Sequence, residues 1–368
     1  MVLRRGIEFT SRTCPERTYT IRVVQRIIVT VLLIVALASA ASGAQALEIF
    51  FIDVEGGAST LIVTPAGQSL LIDAGYGGRE GRDPARILAA AADAGITRID
   101  YLLVTHFHND HVGGVPELAS RIPIGTYIDY GVPLGTDRMT IGAFRAYEPV
   151  RGDHPHIVPR PGDSLPLDGI QATVVSAGGA LLSAPLDGAG HTNDACAGAE
   201  DFPEDGTENF RSIAVMFQFG SFRFLAPGDL SGNTLTRLVC PKDLLGEVSV
   251  YLVAHHGDYD TNVPALYAAQ RPRAAIMNNG VRKGGSPDAF KTLNARADLE
   301  DLWQLHASRN PSAVNAPDAL IANVDDDGTT GYSIRLTAFA DGSFRIVNGR
   351  TGFAKTYAPR RPPSLTRR

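Results

Sequence analysis

Cysteine is scarce in this sequence. Its 368 residues include three cysteines, Cys14, Cys196 and Cys240, and none of them has the spacing of a cysteine-based metal site. Any metal site must therefore use histidine and carboxylate ligands. If Cys14 leaves with an N-terminal segment, Cys196 and Cys240 remain as a pair. A disulfide and a buried pair of free thiols are both open for that pair.

An excess of positive charge is also absent. The chain has 34 lysines and arginines against 39 aspartates and glutamates, a formal charge of −5. Without a basic field, neither nucleic acid nor anionic lipid is expected as an obligatory partner. With 44% hydrophobic residues, the chain can bury the core of one large domain or two modest ones.

The apolar run Ile27–Ala38 is too short to span a bilayer comfortably. Six arginines precede it, and Ala44-Gln45-Ala46 has the small-x-small form cut by signal peptidase. We therefore expect residues 1–46 to be a secretory signal and the mature protein to be periplasmic or secreted, without a membrane association. A retained N-terminal anchor is the alternative. Cleavage leaves 28 basic and 37 acidic residues, a charge of −9.

Short β segments and turns dominate the chain after Leu47. Apolar segments at Leu47–Asp53, Ser59–Thr64 and Ser69–Asp73 predict a β-meander, and Asp83 before Pro84 predicts a helix start. A Gly/Pro-rich middle, residues 131–206, shows weak periodicity. The order suits a four-layer αββα sandwich over residues 47–358, and other α+β folds are also open on the strand pattern alone. The Pro/Arg-rich residues 359–368 predict a disordered tail.

Three imidazoles and a carboxylate follow the apolar strand Tyr101–Val104. They are His106, His108, Asp110 and His111, within six residues. Residues i and i+2 of an extended segment face one side, and a turn at Asn109 can bring Asp110 and His111 nearby. The run can therefore serve two metal ions, and Gly113-Gly114 permits a tight exit into a helix.

This run resembles the signature His-x-His-x-Asp-His of the metallo-β-lactamase superfamily at every position. The resemblance implies the sandwich fold, hydrolase activity and two divalent ions. Zinc is the default ion, while manganese and iron also suit these ligands. It further implies a metal-bridging hydroxide as nucleophile, which Asp110 would help to hold as a ligand with a catalytic role.

Further motifs of the superfamily follow in order. The resemblance implies that Asp73 holds a ligand histidine by a hydrogen bond. It makes Asp229 the bridging carboxylate and one of His255 and His256 a ligand of the second metal. We favour His255 as the ligand and His256 as a proton donor or substrate contact, and the reverse assignment is also open.

Among subfamilies, the chain is most similar to the hydrolase domain of competence-type DNA-uptake proteins and their free-standing relatives. Phe51–Gly57, Asn209–Ser212 and His255–Gly257 carry this similarity. Glu55 replaces the usual glycine and Asp258 stands where serine is common. No membrane channel accompanies the domain, so DNA transport is not implied.

Other polar residues are candidates for smaller roles. His191, in a glycine-rich loop, is the candidate for a further ligand of the first metal, or an ordinary loop residue. Arg282 and Lys283 follow a buried strand in a glycine-rich loop that could hold an anionic group, or they are a charged surface turn. His154 and His156 are expected to be exposed, and Trp303 to be packed.

Two hydrolase functions fit these residues. Phosphodiester hydrolysis is favoured by the competence-type motifs, and hydrolysis of a lactam, lactone or other ester is favoured by the breadth of the fold and the export signal. The partner is then a small-molecule or phosphodiester substrate. A non-catalytic metal-binding protein is the third alternative, which the full ligand set disfavours.

Overall fold

The computed structural model describes residues 46–134, 137–326, 328 and 330–360, together with Gly6. Most of the predicted signal and residues 361–368 lie outside the described residues. From Ala46 onward the described residues belong to one compact unit. No helix among them is long and apolar enough to cross a membrane.

The first sheet contains both ends of this unit. Its described strands run in the order β17-β16-β15-β1-β2-β3-β4-β5-β6, so that β1 lies between β2 and the late strand β15. Strands β1 to β3 form the predicted antiparallel meander, and β3 to β6 are parallel. The bounds are β1 Leu47–Phe51, β2 Thr60–Val63, β3 Ser69–Ile72, β4 Ile99–Leu103, β5 Ile124–Ile128, β6 His156–Ile157, β15 Ile334–Ala338, β16 Phe344–Asn348 and β17 Ala354–Tyr357.

The second sheet has the order β14-β13-β12-β11-β10-β9-β7-β8 among the described residues. Strands β10 to β14 are parallel, and β7 to β10 pair antiparallel. The bounds are β7 Gln171–Ala177, β8 Ala180–Leu181, β9 Ala214–Phe219, β10 Phe222–Ala226, β11 Val250–Leu252, β12 Ala274–Met277, β13 Asp301–His306 and β14 Ile321–Asn323.

Helices cover the outer face of each sheet. The described α-helices are α1 Arg82–Asp93, α2 Asn109–Val112, α3 Val115–Ala119, α4 Arg138–Arg151, α5 Gly232–Val239, α6 Pro264–Gln270 and α7 Pro287–Asn294. Short 3-10 turns occupy Arg79–Gly81, Asp194–Gly198, Asn209–Arg211, Ala254–Gly257, Tyr259–Thr261 and Asp318–Leu320. Asp83, expected as a cap, lies inside α1 instead, where its carboxylate accepts from the Tyr76 N–H.

Three apolar clusters make the layers. One lies between the two sheets, where the rings of Phe51 and Phe224 meet edge to face at 5.8 Å. The others lie under the helices, with Ile87 of α1 outside the first sheet and Leu235 of α5 outside the second. Two sheets that bury apolar side chains on both faces need such outer helices. This confirms the four-layer αββα architecture.

Cys196 and Cys240 form a disulfide. Cys196 lies in the turn Asp194–Gly198, and Cys240 directly follows α5. The bond therefore joins the long loop before β9 to the end of a helix that packs on the second sheet. At the C-terminal end, Arg360 of the predicted tail is described and donates to the Val248 carbonyl at 3.2 Å.

Candidate metal centre

Four buried side chains from both sheets converge at one point. Ligand atoms of Asp110, His111, Asp229 and His256 all lie within 4.8 Å of one another. Asp110 and His111 belong to α2 after β4 of the first sheet. Asp229 follows β10 and His256 follows β11, neighbouring parallel strands of the second sheet. The site thus lies where strand ends of the two sheets meet.

Glycines beside the histidine motif allow main-chain segments to pack closely against one another. A Cβ added at Gly114 would lie 2.0 Å from the Ala74 carbonyl oxygen, so the main chain can approach this closely only with glycine there. Gly57 has the same role on the other side, because its Cβ would lie 2.5 Å from the Asp110 carbonyl oxygen. The main chains of these loops pack directly against one another around Asp110.

Asp73 orients His111. Its Oδ2 lies 2.7 Å from His111 Nδ1, and its Oδ1 accepts from the Thr105 N–H at 2.8 Å. With Nδ1 bonded to a carboxylate, Nε2 of His111 is free to face Asp229, 3.1 Å away. Burial opposes a charge on His111, but Asp229, Asp110 and Asp73 outweigh it and raise the pKa of His111 well above its ordinary value.

His256 lies in the four-residue group, and His255 lies at its edge. His256 Nδ1 faces the Asn278 carbonyl at 3.3 Å, which leaves Nε2 3.3 Å from Asp229 Oδ2 and 3.4 Å from Asp110 Oδ2. His255 Nε2 is 3.8 Å from the same Asp229 oxygen, and its Nδ1 is 2.9 Å from Asp260 Oδ1. Of the two, His256 thus lies nearer to the other possible ligands.

His106 and His108 form a second pair of nitrogen donors. His106 Nε2 lies 3.0 Å from His108 Nδ1 and 3.8 Å from Asp229 Oδ2. On its other side, His106 Nδ1 is 3.1 Å from Thr105 Oγ1. Burial, together with the charge of His111, lowers the pKa of His106 well below its ordinary value. This imidazole is therefore held neutral, the form that binds metal ions.

Asp229 is the common neighbour of these imidazoles. Burial alone would raise its pKa, but His111, His256 and His255 outweigh this and hold the pKa of Asp229 well below its ordinary value. Asp110 behaves in the same way, because His111, His256 and Lys283 outweigh its burial and lower its pKa. The site therefore holds two ionised carboxylates away from water.

The donor set fits divalent metal ions. His256 is 1% exposed, and its Nε2 has no well-formed hydrogen bond to any of the described residues, although two carboxylates lie nearby. A buried nitrogen without a donor or acceptor partner is costly unless an ion completes its surroundings. Imidazole nitrogens and carboxylate oxygens suit zinc, manganese and iron. Asp229 lies close to His111 and His256 and also to His106, so its carboxylate could contribute to two metal sites.

Of the two cations in the glycine-rich loop, only Lys283 reaches the centre. Its ammonium group contacts Asp110 Oδ2 and lies 5.5 Å from the centre of the Tyr76 ring. Burial opposes its charge, but Asp110 and Asp229 outweigh it and raise the pKa of Lys283. Arg282 points elsewhere: its side chain is 70% exposed, and its guanidinium is 3.4 Å from Asp326.

The remaining histidines lie apart from this group. His191 is exposed beside a cavity whose lining includes Asp194 and Asp243, so the structure does not bring it to the other histidines. His154 and His156 are exposed as expected. Trp303 is buried in β13, as predicted for a packed aromatic.

Asp53, Glu55 and His306 form another group of possible metal ligands. His306 Nε2 lies 2.7 Å from Asp53 Oδ1, and the Arg86 guanidinium lies 2.6 Å from Asp53 Oδ2 and 3.1 Å from Glu55. Because Arg86 already neutralises these carboxylates, we interpret the group as a buried ion-pair cluster. It supports the loop Asp53–Gly57, which packs on Asp110.

Sequence reasoning gave no role to several side chains that touch the ligands. Ser212 Oγ accepts from the Asp229 N–H at 3.1 Å, Asn209 Nδ2 lies 3.3 Å from His255 Nε2, and Thr105 Oγ1 donates to Asp73. The segment Asn209–Ser212 is one of those that carry the similarity to competence-type hydrolases, so the sequence offered a reason to consider both residues. Asp260 carried no such signal, since only the fold brings it beside His255.

Comparison with known proteins agrees with this geometry. The model of the metallo-beta-lactamase superfamily matches residues 52–207. Hydroxyacylglutathione hydrolase from Stenotrophomonas maltophilia is 34% identical over 85 residues, 22% of this chain and 30% of that enzyme. Atrochrysone carboxyl ACP thioesterase from Aspergillus terreus is 40% identical over 67 residues, 18% of this chain and 20% of that enzyme. The chain thus matches less than a third of either relative.

Among solved structures, CmlA, a diiron beta-hydroxylase from Streptomyces venezuelae, superposes with a TM-score of 0.38 and 16% identity. The superposition covers 65% of this chain and 46% of that one. This likeness is too distant to inform the chemistry. The residues that match the superfamily model include the histidine motif. The described residues form the two sheets and the outer helices around that motif. The chain therefore has the metallo-β-lactamase fold, with the sequence pattern of that superfamily in residues 52–207.

Proposed function

We propose that this chain is an exported, metal-dependent hydrolase that cleaves phosphodiesters at a centre for two divalent ions, with zinc as the expected ion. Asp110, His111, Asp229 and His256 would hold one ion. His106 and His108 would hold the other, with Asp229 shared and His255 as the further donor. Ions bound there would supply Lewis acidity toward water and toward the scissile group.

The observation that carries the phosphodiester proposal is the position of Lys283. Its ammonium group touches Asp110 at the candidate centre, and no other described lysine or arginine contacts the four-residue group. A phosphodiester keeps one negative charge when it binds, and a cation at this place can neutralise it. A neutral lactone or lactam has no such charge to offer.

The side chains around the centre have distinct tasks in this proposal. Each of three histidines has an acceptor at its Nδ1 atom: Asp73 for His111, the Asn278 carbonyl for His256 and Asp260 for His255. These contacts direct the Nε2 atom of each histidine toward Asp229. Ser212 fixes the main chain of Asp229. The chain thereby holds its ligands in place before any ion binds, which limits the reorganisation that binding requires.

Within the superfamily, we propose kinship with free-standing competence-type hydrolases. Asn209 and Ser212 of the quoted motif contact His255 and Asp229, which supports a functional reason for that motif. Export is supported by the disulfide, since such bonds persist in oxidising compartments. A native N-terminus near Leu47, found by mass spectrometry, would support it further, and an intact Arg-rich N-terminus would contradict it.

Hydrolysis of a thioester or other carboxylic ester is the second candidate. The two curated relatives are a hydroxyacylglutathione hydrolase and an acyl-carrier-protein thioesterase, and both act on thioesters by their names. The short length of each match limits what can be carried over. This candidate predicts that turnover of thioesters or other carboxylic esters exceeds that of phosphodiesters.

A substrate panel on metal-loaded protein separates the two candidates. We expect turnover of bis(p-nitrophenyl) phosphate to exceed that of a lactone, a thioester and a β-lactam. Lys283→Ala should reduce kcat/KM for the phosphodiester by about 10- to 100-fold, the effect of removing one charge-assisted contact. Arg282→Ala is the matched control and should stay near the wild-type rate, because its side chain points to Asp326.

Equal losses of phosphodiester and neutral-ester turnover in Lys283→Ala would show that the lysine serves Asp110 and not the substrate. Efficient hydrolysis of thioesters or lactones without phosphodiester turnover would replace the proposal by the second candidate. Metal content is measured in each variant, so that loss of an ion is not mistaken for loss of a substrate contact.

A further inference from the structure

A cavity of about 320 Å³ opens beside the candidate metal centre, on the side of His255. Asp260, Asn209 and the start of α5 contribute to its wall, and the loop 202–207 forms another part of the wall. Lys283 does not line this cavity. A substrate held at the centre therefore has a second place for one of its arms, away from the lysine.

Three carboxylates line the cavity, and two of them have a basic partner. Glu204 is paired with Arg237 at 2.8 Å, and Asp260 is bonded to His255. Among the described residues, the donors to Asp205 are neutral: the Thr207 N–H at 2.8 Å, the Thr207 hydroxyl at 2.6 Å and the Ser231 hydroxyl at 3.1 Å. The start of α5 adds only the partial positive charge of a helix end. Asp205 therefore keeps most of its charge.

Two further features suit a cation with N–H groups. Asn209 is 7% exposed and lines the cavity, and its Oδ1 has no hydrogen-bond partner among the described residues. This oxygen is an unsatisfied acceptor within the wall of the cavity, and a rotation of the amide would present it to a donor. The rings of Phe202 and Tyr259 also line the cavity, and Tyr259 is 68% exposed. Aromatic faces attract ammonium groups.

We propose that this cavity is a subsite for the ammonium group of one ester arm. The substrate would then be a phosphodiester of an amino alcohol, with its phosphate near Lys283 and its amine near Asp205 and Asn209. This inference rests on the proposed function, because the phosphate places the arm. It adds a specificity that the metal centre alone does not provide.

The loop that carries Asp205 is built from the start of α5. Asn233 Oδ1 accepts from the Phe202 N–H at 3.0 Å, and its Nδ2 donates toward Glu204 at 3.2 Å. A Cβ at Gly232 would lie 2.8 Å from Phe202 Cβ, so the loop can rest closely on the helix. The subsite is therefore shaped by contacts within the chain and does not depend on the ligand for its form.

The test compares three phosphodiesters. Each has one p-nitrophenyl ester, and the second ester group is 2-aminoethyl, choline or ethyl. On zinc-loaded protein near pH 7, we expect kcat/KM for the 2-aminoethyl ester to exceed that for the ethyl ester by about tenfold, in line with one partly exposed charge pair. Equal values for the two overturn the proposal. A preference for choline over 2-aminoethyl also overturns it, since choline has no N–H to donate.

Asp205→Asn removes the charge with little change in shape. The amide oxygen can keep both bonds from Thr207, and the amide nitrogen can donate to the Ser231 hydroxyl. We expect the preference for the 2-aminoethyl ester to fall toward one. Asp201→Asn is the matched control on the same loop, exposed and outside the cavity, and should keep the preference. An unchanged preference in Asp205→Asn overturns the proposal.

A binding measurement separates this inference from the proposed function. Calorimetric titration of zinc-loaded protein compares 2-aminoethylphosphonate with ethylphosphonate, neither of which is hydrolysed. We expect about tenfold tighter binding of the amine, lost in Asp205→Asn. If no diester is cleaved but this difference is found, the subsite stands and phosphodiester hydrolysis is wrong. Equal affinities overturn the subsite whatever the activity.

Discussion

At the scale of single residues, the backbone of the second histidine motif is unusual. His255 and His256 both lie in the left-handed region, with φ of 44° and 55°, and Gly257 follows at 76°. Asp73 and Glu55, in other motifs near the site, also have φ near 57°. This conformation costs a non-glycine residue about 1 kcal/mol. Backbone strain at four residues in motifs near the candidate site is expected where a conformation is kept for function and not for stability.

His256 provides the sharpest test of the ligand assignment. His256→Gly removes the imidazole and leaves a residue suited to a φ of 55°, so the backbone should tolerate the change. We expect the variant to bind about one ion where the wild type binds about two, because one site loses a donor. Metal analysis by mass spectrometry measures this. His154→Gly, at an exposed position, is the control, and an unchanged metal content in His256→Gly would refute the assignment.

The sequence pattern singled out most of the residues that the structure brings together, but it did not predict their arrangement. The histidine motif was predicted to bind metal because ligand residues at such spacing have few other roles, whereas Asp229 was assigned through the resemblance to the superfamily. That His256 lies in the four-residue group while His255 lies at its edge depends on two consecutive left-handed residues, which no residue type in the motif predicts. Lys283 and Arg282 are adjacent in sequence, and only the path of the loop after β12 directs one inward and the other outward.

At the scale of elements, strands with clear alternation or strong apolar character were predictable, while the Gly/Pro-rich middle was not. Residues 131–206 contain α4 and β7, which that composition concealed. Helix α4 includes Pro149 and has a modest apolar face, yet its Asp137 cap accepts from two N–H groups and Phe144 packs on Phe107. Tertiary packing of that face outweighs the weak local signal.

The disulfide is the element-scale feature with a measurable effect on stability. It joins residues 44 apart and anchors the loop whose continuation, 202–207, forms part of the wall of the cavity. Replacing both Cys196 and Cys240 with serine should lower the free energy of unfolding by about 2–4 kcal/mol, mainly because the unfolded chain gains freedom. Urea unfolding of the double variant, with reduced wild type as a comparison, measures it. An unchanged unfolding midpoint would show that the loop needs no such anchor.

At the scale of the whole molecule, the candidate metal centre lies where the two sheets meet. Asp110 and His111 follow a strand of the first sheet, and Asp229 and His256 follow strands of the second, so ions bound between them would connect both halves of the sandwich. Removal leaves buried carboxylates and imidazoles without those ions. We expect chelation to lower the melting temperature by roughly 5 °C or more, since the ions bind only the folded chain. Readdition of zinc should restore it, and a melting curve insensitive to chelator would contradict a centre of this kind.

The position of β1 has a consequence for the order in which the molecule can be assembled. β1, the first strand among the described residues, lies between β2 and β15, and β15 follows every other described strand except β16 and β17. Until β15 is available, Leu47–Phe51 presents an unpaired edge that includes four buried apolar residues. Such an edge is a site for pairing with other chains. We therefore expect a ribosome-bound chain, or one truncated before β15, to aggregate more readily than the folded protein.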